Sequence, residues 1–154
     1  MRQYAGAAGG TLMITTLAIV VCAIFTVLGL WHFYMAFAGH AGESAAVPSR
    51  DGKPTFVPST RSTIAVGIVL LVFAVLVACT ARMIIVGLPT GLLAGLSYAL
   101  ALGLLARAVG DFNYVGFFKR VRGTRFSRMD TLLYSPLCLA LSAGVATVAF
   151  HGSE

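Results

Sequence analysis

Four long apolar stretches, Leu12 to Phe37, Ile64 to Ala81, Leu88 to Ala106 and Thr131 to Phe150, cover most of this chain. Each approaches or exceeds the ~20 residues that carry an α-helix across ~30 Å of hydrocarbon at ~1.5 Å per residue. A helix satisfies its backbone polar groups within its own segment. The expected fold is therefore all-α, an integral membrane four-helix bundle with up-down topology, in one domain over residues 1–154. Only 10% of the residues are charged and the mean hydropathy is +0.91, which excludes an ordinary soluble domain.

The first stretch has a small-x-small end, Ala36-Phe37-Ala38, as a cleaved signal peptide would. Its apolar run is well beyond the ~7–15 residues of a signal core, and only Arg2 precedes it as a basic residue. It also ends in Trp31-His32-Phe33-Tyr34, an amphipathic cluster suited to a membrane interface, so it reads as a span. A polar loop, residues 39–61, follows; Pro48, Pro54 and Pro58 forbid a continuous helix there. Gly87-Leu88-Pro89 marks a tight turn between spans two and three, which makes those spans antiparallel neighbours. The third connection, residues 107–130, is the most unusual stretch. Ser135-Pro136 would start span four too late to cross, so Asp130 is the expected cap, with Pro136 breaking one hydrogen bond inside the helix.

With four spans, the loops after spans one and three share a side. They hold Arg50, Lys53, Arg61, Arg107, Lys119, Arg120, Arg122, Arg125 and Arg128, against Arg2 and Arg82 opposite. The excess of positive residues places both long loops in the cytoplasm and both termini outside. A net charge of +6 then needs no nucleic acid to explain it. Cys22, Cys79 and Cys138 fall singly and read as small core residues.

Span three carries Gly91, Gly95, Ala99 and Gly103 at four-residue intervals, a smooth face that allows close helix packing. Its expected partner is span four, which is rich in small residues (Ala140, Ser142, Ala143, Gly144). A homo-oligomer or a membrane-protein partner is the other use of such a face.

From Asp111 to Phe126 aromatics alternate with cations. Phe112, Tyr114, Phe117, Phe118 and Phe126 suit the headgroup boundary, while Lys119, Arg120, Arg122, Arg125 and Arg128 suit anionic lipid headgroups. Such interleaving also occurs where rings stack on single-stranded bases, but a loop pinned between two spans already has lipid beside it. Membrane lipids, and no nucleic acid, are the expected partners.

Trp31, Val47-Pro48, Pro58, Gly110-Asp111-Phe112, Gly116-Phe117-Phe118-Lys119-Arg120, Asp130-Thr131 and Tyr134-Ser135-Pro136-Leu137-Cys138 together resemble the small bacterial four-span proteins grouped as domain of unknown function 3995. The resemblance covers nearly the whole chain and implies a membrane class and a bacterial setting. It implies no activity.

Trp31, His32, Arg107, Asp111, Asp130 and Tyr134 all belong near one membrane surface and form the candidate site. Arg107 and Asp111 are four apart and face each other if the helix continues, either closing the bundle end or leaving Arg107 to hold a phosphate or carboxylate. No second histidine lies at the depth of His32 for haem. His32, His40, Glu43 and Asp51 lack zinc-ligand spacing, so no metal and no cofactor are expected. No catalytic motif is present. The favoured reading is a non-enzymatic accessory or membrane-organising protein; the alternative is a membrane-embedded enzyme or binding protein acting on a lipid or amphipathic substrate at the cytoplasmic interface. A transporter would need more polar residues than Thr80, Ser97 and Tyr98 along spans two and three.

Overall fold

The computed structural model describes residues 2–38, 47, 49–50, 53–54 and 57–153, with residues 2–9 and the pairs at 49–50 and 53–54 described by backbone alone. The expectations placed on His40, Glu43, Pro48 and Asp51 lie outside the described residues. The helices are α1 (Arg2–Phe37), α2 (Thr60–Thr80), α3 (Thr90–Val109), the short α4 (Arg125–Met129) and α5 (Ser135–Gly152), with a π turn, Asp130–Tyr134, joining the last two. Four helical segments are long and apolar enough to cross a membrane, the fourth being the run Arg125–Gly152. Among the described residues the only sheet is a two-residue antiparallel ladder, β1 (Ser49–Arg50) with β2 (Lys53–Pro54).

The fourth span does not start where expected. Thr124 caps it, its hydroxyl accepting the Ser127 N–H at 3.0 Å, so Asp130 sits one turn inside the helix. The cause is Pro136, whose ring would meet the Leu132 carbonyl in a regular α-turn. The Ser135 N–H reaches back five residues to the Asp130 carbonyl, and the widened turn absorbs the conflict. It also turns the Asp130 side chain wholly inward, at 0% exposure.

The bundle is built as two close antiparallel pairs, α1 with α2 and α3 with α5, while α2 meets α3 over a narrower front. Gly29 and Gly67 mark the tightest crossing of the first pair. A Cβ on either would stand 3.0 Å from the other's carbonyl oxygen, so a side chain at either position would crowd the partner backbone. Seven residues toward the N-terminus of α1, the Cys22 thiol meets the Ala74 carbonyl at 3.3 Å, so numbering falls along α1 as it rises along α2. Between the pairs, Ala18, Val21, Phe25, Val77, Leu141 and Val145 interdigitate as the core, with Phe25 edge-on to Phe73. Much of the outer surface is apolar, Val27 and Leu102 among it, as expected of helices solvated by hydrocarbon.

The glycine face of α3 is not the packing face. A Cβ at Gly91, Gly95 or Gly103 would meet nothing within 4 Å, and Ala99 is exposed. The buried face is instead Leu93, Ala94, Ser97, Leu100, Ala101 and Ala108. That stripe is also largely small, and it carries a hydroxyl. Ser97 lies 2.8 Å from the Thr80 hydroxyl of α2, and Ser142 of α5 donates to the Ala101 carbonyl at 2.7 Å. A hydroxyl in hydrocarbon without a partner is costly, whereas a glycine face leaves no polar group unmet, so hydroxyl pairing decides which stripe turns inward. Leu93→Ala is accordingly expected to destabilise the protein in detergent by about 2 kcal/mol or more. Gly95→Leu is expected to cost nothing measurable. Thermal unfolding of the two variants side by side checks this, and the reverse order would refute the assignment of faces.

Candidate functional site

At the end of the bundle where α3 stops and α5 begins, one carboxylate gathers the chain around it. Asp130 Oδ1 accepts Arg107 Nη2 at 2.8 Å; Oδ2 accepts the Gly116 N–H at 2.7 Å, Lys119 Nζ at 2.9 Å and, more distantly, the Ser135 hydroxyl at 3.3 Å. Lys119 is 2% exposed. Its ammonium donates to the Gly116 carbonyl at 2.9 Å, to Asp130 and to the Thr131 hydroxyl at 2.6 Å, which uses all its N–H bonds. Burying an ammonium and a carboxylate is tolerable only when both are paired and saturated in this way.

The loop before it is shaped to deliver Lys119. Gly110 ends α3 at φ 95° and Gly116 returns the chain at φ 90°. A Cβ on Gly110 would overlap the Val115 carbonyl oxygen, and one on Gly116 the Val109 carbonyl oxygen, so the two backbones lie in contact where side chains cannot fit. Between them Asp111 Oδ1 accepts the N–H groups of Asn113, Tyr114 and Val115 at 2.7–2.9 Å. Desolvation pushes the Asp111 carboxyl up, but these backbone donors outweigh it and hold its pKa below the ordinary value. Because the folded value is the lower one, the carboxylate's contribution to the loop is complete above the unfolded Asp pKa of about 3.9 and disappears as pH falls through the depressed value. A carbon-13 NMR titration of the Asp111 carboxyl in detergent is expected to give a midpoint below that of an unstructured Asp peptide. A midpoint at or above the peptide's would contradict the cap.

Arg107 and Asp111 therefore do not pair. Gly110 breaks the helix before a fourth residue can come round, so Asp111 caps its own loop and Arg107 turns to Asp130, 23 positions away. Lys119 is withdrawn from the headgroup-facing set into the interior, while Arg120, Arg122, Arg125 and Arg128 are exposed. Phe112 and Phe118 are 54% and 64% exposed, with rings 6.4 Å apart, whereas Phe126 is buried against Tyr134. Trp31 is exposed and tilts against Tyr34 at 5.4 Å, and His32 Nδ1 lies 2.7 Å from the Leu28 carbonyl of its own helix. Gly116, Thr131 and Ser135 belong to the cluster; the sequence marks them only through the family resemblance they help to carry, not as members of a site.

Asp130 is closed to solvent, its Oδ2 accepting three donors and its Oδ1 one, and Lys119 has no free N–H to donate. The cluster is a clasp. It ties the end of α3, the 110–123 loop and the π turn into one rigid end of the bundle. Among the described residues no three of His, Cys, Asp and Glu come close enough together to hold a metal ion. A cavity of about 340 Å³ lies at the opposite end, between Thr11, Thr15, Thr80, Arg82 and His151.

No curated protein and no solved structure matches the chain. The family model described as "Protein of unknown function (DUF3995)" matches residues 25–145, which span the last third of α1, the whole clasp and most of α5. The chain belongs to the DUF3995 family.

Proposed function

We propose that this protein is a non-enzymatic accessory or membrane-organising component of a bacterial inner membrane, with both termini outside and a basic loop held against the anionic lipid of the cytoplasmic leaflet. The observation that carries the reading is the 110–128 surface. Arg120, Arg122, Arg125 and Arg128 are exposed beside exposed Phe112, Phe117 and Phe118, on a loop clamped from beneath by Asp130. Rings in the headgroup boundary and guanidinium groups on phosphates give an attachment of about 1 kcal/mol per cation. A clamped loop loses little conformational entropy when it settles there. The saturation of Asp130 and Lys119 argues against acid–base chemistry at this end.

The test uses the full chain in nanodiscs of phosphatidylcholine with and without phosphatidylglycerol. Phosphatidylglycerol is expected to raise the unfolding temperature of the native protein, and the gain should shrink with added salt. Changing Arg120, Arg122, Arg125 and Arg128 together to Gln should remove most of that gain; an undiminished gain would sink the reading. A reporter active only in the cytoplasm, fused after Glu154, should be silent, and strong activity there would reverse the orientation.

A further inference from the structure

Besides its general basic surface, the fold has a groove that ends in a charge. Where α2 and α3 part, an apolar trough of about 610 Å³ runs between Val72, Phe73 and Leu76 on one side and Leu96, Ala99 and Gly103 on the other. It exists because α3 turns its hydroxyl-bearing stripe inward and leaves its glycine stripe outside, beside a narrow α2 contact. Along α3 the lining follows helical spacing, Leu96, Ala99, Gly103, and the next position in that row is Arg107, about 6 Å further toward the loop end at ~1.5 Å per residue.

Arg107 is not saturated as Lys119 is. One guanidinium nitrogen, Nη2, holds Asp130, while Nη1 is enclosed with no acceptor among the described residues. The side chain is 35% exposed, whereas Asp130 and Lys119 beneath it are closed off. Two cations share one carboxylate, so the cluster carries one uncompensated positive charge, and Arg107 is its open side. Nη1 itself is covered, so it is through the exposed part of the Arg107 side chain that a phosphate oxygen can form a charge-assisted bond.

We propose that the α2–α3 groove and Arg107 together form a site for one anionic phospholipid, its phosphate on Arg107 and one acyl chain lying along Gly103, Ala99 and Leu96. The proposal rests on the reading above that anionic lipid lies at the loop end. It adds a defined, one-to-one site to a diffuse surface. Charge complementarity selects the occupant: a groove as apolar as lipid tails holds no chain more tightly than the bilayer does, so the headgroup must supply the preference.

The experiment is native mass spectrometry of the full chain from mild detergent, with phosphatidylglycerol or phosphatidylcholine of identical chains added back. One phosphatidylglycerol per chain is expected to survive, with phosphatidylcholine retained about ten-fold less. Gly103→Leu fills the groove next to Arg107 at a position where a Cβ meets nothing within 4 Å, so the fold should keep its unfolding temperature in lipid-free detergent. Its phosphatidylglycerol retention should fall about ten-fold, and Ala99→Leu, at an exposed position, should act in the same direction. The variant with Arg120, Arg122, Arg125 and Arg128 changed to Gln should keep the bound lipid, which separates this site from the loop surface. Equal retention of the two lipids, unchanged retention in both groove variants, or dimers appearing in place of bound lipid would each overturn the site. Loss of the lipid in the loop variant alone would assign it to the loop instead and overturn the groove.

Discussion

Asp130→Ala is expected to destabilise the protein by about 3–5 kcal/mol, because it leaves Lys119 buried as an unpaired ammonium and frees the Gly116 N–H at the same time. The three groups are coupled, and the variants should show it. Lys119→Met alone leaves Asp130 with Arg107, Gly116 and Ser135 as donors and should cost less than Asp130→Ala. The double change Lys119→Met with Asp130→Ala removes both charges and should cost less than the two single changes added together. Arg107→Ala should be the mildest of the set, since that side chain is partly exposed and Asp130 keeps its ammonium partner. Unfolding by heat or by increasing denaturing detergent measures all four. Asp130→Ala within about 1 kcal/mol of the native protein would mean that the clasp does not hold this end together.

Gly110→Ala and Gly116→Ala should both cost more than the roughly 1–3 kcal/mol of backbone strain at a left-handed position. Strain is only part of the penalty, since the new methyl groups would overlap the Val115 and Val109 carbonyl oxygens, and backbone cannot move aside as a flexible side chain can. Gly123 separates the two contributions. It has φ 87°, yet a Cβ there meets nothing within 4 Å, so Gly123→Ala should report the strain alone. In Gly116→Ala the N–H to Asp130 should also be lost, which loosens Lys119 and couples this change to the clasp variants. Equal destabilisation by the changes at 110, 116 and 123 would refute the close crossing of the loop on itself.

How much of the site was legible depends on the range of the interaction that builds it. Arg107, Asp111 and Asp130 stand out in the sequence as charges near the ends of apolar runs, and Lys119 as one cation among several in the loop between them. Their pairing did not, because a spacing of four suggests a partner only while the helix continues, and Gly110 ends it. The Asp130 pairs span 11 and 23 positions, and neither separation is periodic in anything. Lys119 looks like its neighbours Arg120 and Arg122 in one dimension. What sets it apart is the return of the chain at Gly116, which aims one cation inward and leaves the others facing outward.

The sequence by itself determined the solvent and the elements: runs of apolar residues about as long as a bilayer is thick, separated by loops that hold Gly and Pro and bounded by cations, admit little besides a bundle of membrane helices. Those are local properties, since hydropathy and backbone satisfaction are summed within a segment. Which face of each helix turns inward was left to the tertiary structure. In α3 two small-residue stripes compete, and lipid solvates a glycine stripe as readily as a neighbouring helix does. The choice fell to the stripe whose Ser97 and Ala101 meet hydroxyl partners on other helices, Thr80 and Ser142, which supplies polar partners that lipid lacks.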